Sequence, residues 1–265
     1  MSSAAPASSV PSAAVAPRPL ALRTGTVADT GTVRRDSVRA AAWTSTGTVK
    51  VQGDVDVDSG DTTGLVSVGG MLSARTFRSR GTLEVVGPTE VRDQITLDGT
   101  VHLRASVHAG ALEARGSLRC PAEVRVDRGL RMTGTFEAPS VRVGLFELTG
   151  SAEVPGDLEA VVSVRARFRG DSRLGTIRAR SVVLEGPPTA LVPTLFRKVF
   201  GGAASVWVGR IEADSVELRA VDVEFVRAKE IVLGPGAHVR CQGKGRKVRN
   251  TPLRKETTAV LVKFL

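Results

Sequence analysis

The 265-residue chain has no tyrosine, and aromatic residues make up only 4% of it. Compact enzymes of this length pack more rings into their cores, so the scarcity points to stacked aliphatic side chains. It also argues against single-stranded nucleic acid, whose bases stack on exposed rings. The two cysteines, Cys120 and Cys241, lie far apart, which speaks against a disulfide-dependent scaffold. His102, His108 and His238 have no ligand spacing with Cys, Asp or Glu, so neither a metal nor any other cofactor is expected. No G-x-S-x-G stands out. "GKGRKV" (243–248) lacks phosphate-loop spacing and does not join a strand to a helix. The chain therefore reads as a non-enzyme.

No apolar run is long enough to span a bilayer. The start, "MSSAAPASSVPSAAVAPRPLAL", lacks a charged leader and is broken by prolines, so it reads as a disordered Ala/Pro/Ser-rich segment (1–22) and not as a signal peptide. A cytoplasmic location is the resulting expectation.

What the sequence has instead is repetition. "GTIRARSVVLEG" (175–186) returns as "GRIEADSVEL" (209–218), and "GMLSARTF", "GTFEAPSVRV" and "GDLEAVVSV" share its shape. Glycine keeps the beat at 47, 64, 81, 99, 116, 134, 150, 170 and 186, in steps of 16 to 20 residues. A short fixed period signals a solenoid. Within each unit apolar residues alternate with polar ones, as in Leu118, Cys120, Val124, Val126 and again Phe136, Ala138, Val141, Val143. Period two is the strand signature, because successive side chains point to opposite faces. Short strands and corners in about 17 residues form one coil of a parallel β-helix, with a perimeter of roughly 55 Å. Ala138, Ala160, Ala179 and Ala213 should point inward where walls come close. The predicted body is an all-β parallel solenoid over 23–186, resumed over 205–242.

The interruption, 187–204, contains "LVPTLFRKVFGG". Its apolar residues fall at helical spacing, which predicts a short amphipathic helix near 190–200, between Pro193 and Gly201. Leu195, Phe196, Val199 and Phe200 are the candidate contact residues for a membrane surface or a partner. The step from Gly175 to Gly209 is 34, twice the beat, which reads as equivalent walls two coils apart.

The net charge of +10 is concentrated at the end. From Arg240 onward eight Lys/Arg meet a single acid, Glu256. The basic tail, 243–265, makes Lys244, Arg246, Lys247 and Arg249 candidate phosphate contacts, of lipid or nucleic acid. Elsewhere the surface is of mixed charge.

A left-handed β-helix acyltransferase is one rival, since Leu118, Val124, Leu130 and Phe136 fall six apart. The next position is Arg142, and the expected aliphatic-Gly pairs are missing. The repeated phrase, the apolar insert and the terminal "AKEIVLGPGAHV" together resemble the bactofilins, polymer-forming bacterial cytoskeletal proteins, and in particular their longer Gram-positive branch. The likeness covers roughly residues 30–242. It implies a right-handed β-helix that assembles end to end into nucleotide-independent filaments, with itself and envelope or membrane-associated proteins as partners, at the inner face of the membrane. The first and last coils are then the contacts. The sequence shows no clear N-terminal cap, and Phe225, Val223 and Ile231 are the candidate assembly residues in the last coils. The sequence leaves open whether Trp207 belongs to the core or to an interface.

Overall fold

The computed structural model describes residues 25–187, 205–242 and 247–250. Among these residues thirteen strands form one parallel sheet wound into a solenoid of about 12 turns, each strand from the first to the eleventh pairing with the next. They are β1 (Thr26–Arg35), β2 (Val38–Val51), β3 (Val55–Val68), β4 (Leu72–Val85), β5 (Thr89–Leu103), β6 (Val107–Arg119) and β7 (Val124–Glu137). There follow β8 (Val141–Phe168), β9 (Ser172–Glu185), β10 (Val206–Arg219), β11 (Asp222–Leu233), β12 (His238–Gln242) and β13 (Lys247–Asn250). The last two both pair with β11. The described residues contain no helix; the one expected near 190–200 lies outside them.

Each coil has three walls, and the burial pattern shows why. In β3 the inward positions are Val55 and Val57, then Gly60 and Thr62, then Val66 and Val68. Alternation holds along each wall and resets at the corners between them. In register, Val38, Val55 and Leu72 stack on the first wall, 17 residues apart. Eighteen-residue steps are absorbed as bulges after the first wall, between Ala74 and Thr76 and between Val91 and Ile95. The buried ladders fill the interior from Val38 to Ala237, each large side chain contributing about 1.5–3 kcal/mol. Cys120, Ala138 and Ala160 are buried as expected, while Ala179 and Ala213 are half-buried against the core.

Packing is adjusted between coils. Trp43, Gly60 and Phe77 form one inward column. A Cβ on Gly60 would meet the Phe77 ring at 2.5 Å. Without it, the two rings come within 6.4 Å of each other, tilted by 39°.

β9 and β10 pair directly, Ile177 with Ile211 and Ala179 with Ala213. The phrases at Gly175 and Gly209 are therefore walls of adjacent coils, not of coils two apart. The 34-residue step holds one coil plus an excursion that leaves after Glu185 and returns at Val206.

Candidate interaction surfaces

The two ends of the solenoid differ. At the N-terminal end, β1 places Asp29 in register with inward Ser45, and Arg35 with inward Val51. Polar residues thus occupy two core columns of the first coil, while Val27 and Val33 continue two others in register with Trp43 and Val49. The Arg35 guanidinium donates to Asp29 through Nε at 2.9 Å and Nη2 at 2.6 Å, and Trp43 Nε1–H donates to Asp29 Oδ2 at 3.0 Å. The Asp29 side chain is only 2% exposed. The hydrogen bond from Arg35 holds its carboxyl below the usual carboxylate range, against the opposing effect of burial, and the Trp43 bond helps. This is a partial polar cap, beyond what the sequence alone revealed. Its signal is two charged residues at inward positions, which become visible only once the register with β2 is known.

Towards the C-terminal end Val223 and Ile231 are buried, in register with Val239 on β12 and Val248 on β13. Phe225 is not a core residue. It sits half-buried on the outside, beneath the Arg210 guanidinium at 4.8 Å from the ring centroid. The corner after Val223 resets the alternation, so Val226 turns inward in its place. Trp207 is likewise half-buried on the outer surface of the third wall, with Arg173 5.2 Å above its ring.

Lys247 and Arg249 lie on β13, in register with Glu230 and Val232. The segment read as a basic tail from 243 thus rejoins the solenoid over 247–250. Lys244 and Arg246 lie outside the described residues, as do Leu195, Phe196, Val199 and Phe200.

The outer walls carry ion pairs that run from coil to coil. Arg142 reaches Glu123 at 3.4 Å and Glu159 at 3.2 Å. Arg178 reaches Glu159 at 3.1 Å and Glu212 at 3.4 Å. Exposed pairs of this kind each contribute about 0.2–1 kcal/mol, and their regular spacing helps hold the coils in register. On the second wall an open groove of about 550 Å³ crosses five coils, from Arg131 to Arg219.

The reactive residue types do not converge. Among the described residues no three His, Cys, Asp or Glu are placed to hold a metal ion. The Cys120 thiol is buried, which pushes its pKa up, and donates to the Ala122 carbonyl at 3.3 Å. His108 Nε2 lies 3.2 Å from the Asp127 carboxylate, out on the surface. No described helix is long and apolar enough to cross a membrane.

No family model matches the chain, and no solved structure matches it. A curated protein of Sinorhizobium fredii named as an integrase/recombinase is 40% identical over 67 residues, covering 23% of this chain. The match spans a fifth (20%) of that protein's length. A likeness of this extent shows no family membership.

Proposed function

We propose that the chain is a structural scaffold of the bactofilin kind, a right-handed β-helix that assembles end to end into filaments without nucleotide. One observation carries the reading. The inward ladders continue from coil to coil through the described body, across the bulges in register, so each end presents a strand with unpaired backbone groups over the end of a core. Among the described residues β1 pairs with β2 alone, and the stretch Arg227–Lys229 of β11 has no partner beyond it. Strand edges of this type are templates for further pairing.

The unequal ends refine the reading. The two joints are chemically unlike: β12 and β13 form the last described turn, beyond Val223 and Ile231, while the first coil carries the buried Asp29 with its Arg35 partner. The reading carries with it a cytoplasmic location and partners at the envelope. Negative-stain electron microscopy of purified protein in nucleotide-free buffer tests it. Filaments about one solenoid wide are expected; separate short rods at every concentration would overturn it.

A further inference from the structure

We propose that the second wall of the solenoid carries a binding site for a phosphate-type oxyanion, centred on Arg165. The groove there contains three carboxylates, and each already has an arginine. Arg131 pairs with Glu147 at 2.9 Å, Arg167 with Glu185 at 3.1 Å, and Arg219 with Glu217 at 2.7 Å. Arg165 is the remaining arginine of the groove, and it makes no hydrogen bond or ion pair with a described residue. Its register neighbour on the following coil is Val183, whose side chain offers no acceptor.

Two further donors line the same groove. Thr133 and Thr149 stand in register on adjoining coils, and their hydroxyls make no hydrogen bond with a described residue. An arginine presents five N–H donors in a planar fork and each threonine adds an O–H. The groove therefore holds unspent donors beside one uncompensated positive charge, four arginines standing against three carboxylates. One guanidinium fork saturates a carboxylate's two oxygens; hydroxyls beside it suit a group with three or four oxygens. A concave, protein-walled setting also screens the charge less than open surface does. The sequence marks the place: Arg165, Arg167 and Arg169 alternate along one strand and its corner, and such an alternation puts all three outside.

Two sources can supply this chemistry, free phosphate or a lipid headgroup, and the experiment separates them. The full chain is taken to equilibrium dialysis with inorganic phosphate. In parallel it is co-sedimented with phosphatidylcholine vesicles that contain or lack phosphatidylglycerol. Arg165→Gln is compared with Arg78→Gln, an exposed arginine outside the groove whose side chain likewise lacks a described partner. The two variants have the same net charge, and thermal melts confirm that both fold. The expected result is that Arg165→Gln weakens binding about tenfold while Arg78→Gln leaves it within twofold. A loss seen with phosphate and vesicles alike assigns the site to the phosphate group itself; a loss seen only with vesicles assigns it to the headgroup. The proposal is overturned if Arg165→Gln binds like the unaltered protein in both arms, or if Arg78→Gln loses as much.

Discussion

From Gly47 to Gly150 the corner between the second and third walls is a column of glycines, all at positive φ, 112° at the first and 143° at the last. A Cβ on any of them would run into the carbonyl oxygen of the glycine one coil earlier. Beyond Gly150 the same corner is different in every coil. Arg169 hydrogen-bonds back to the Gly150 carbonyl at 2.7 Å. The next turn carries the 186–205 excursion. Then comes Ala220 at φ 51°, the one non-glycine residue at positive φ among those described, followed by Gly236 at 69°. The contrast shows what the glycine column does. It fixes the chain path at a corner so tight that no side chain fits, and at Gly186, where the insertion begins, a Cβ would likewise run into the Ala220 carbonyl oxygen. Walls on either side continue undisturbed, since β9 and β10 pair in register across the insertion.

Substitution at the two kinds of corner should break this contrast most sharply. Gly116→Val places a β-branched residue at φ 112°, with its Cβ against the Gly99 carbonyl. It should cost about 3 kcal/mol or more. Gly170→Val meets only the Ser151 side chain, at an ordinary 3.5 Å, and should cost less than about 1 kcal/mol. Urea titration followed by circular dichroism measures both, and equal losses would remove the distinction.

In the regular part, inside and outside should separate nearly as widely. Val141 is fully buried, and Val141→Asp should destabilise by about 3 kcal/mol or more, because an unpaired buried charge is costly. Its exposed neighbour gives Arg142→Ala, which loses two surface ion pairs and should cost no more than about 1 kcal/mol. The same titration reads both.

The alternation and the 17-residue step are local properties, so the solenoid, its inward residues and the burial of Cys120 were legible in the sequence. The phase at a corner was not. Val221, Val223 and Phe225 continue an alternation that the fold resets after Val223. The insertion was misread because its 34-residue step equals two beats, and counting alone cannot tell a skipped coil from an excursion. Asp29 and Arg35 gain meaning only from their register with Ser45 and Val51, and Arg165 only from the pairing of the arginines around it.

The polar cap offers a smaller effect with a pH signature. Because Arg35 depresses the folded-state pKa of Asp29, the stability it confers is present above the ordinary carboxylate value of 3.8 and is lost as pH falls through the lower folded value. Asp29→Asn should lower stability at neutral pH by on the order of 1 kcal/mol and should flatten the dependence below pH 4. Melts across pH 2–7 test this; an unchanged acid limb in the variant would contradict it. Smallest of all, Ala220→Gly relieves a left-handed backbone that costs an alanine about 1 kcal/mol. It should leave stability unchanged or raise it by less than that, and a clear loss would mean the alanine methyl packs usefully.

Assembly through the last coil is the central claim, and sedimentation velocity in nucleotide-free buffer tests it most directly. The unaltered chain is run beside Ile231→Arg, which charges a buried ladder beneath the last described strand, β13, and Phe225→Arg, which alters only the outer surface. The account predicts large polymers for the unaltered chain and for Phe225→Arg, and a folded, slowly sedimenting species for Ile231→Arg. A monomer at every micromolar concentration for the unaltered chain would contradict it.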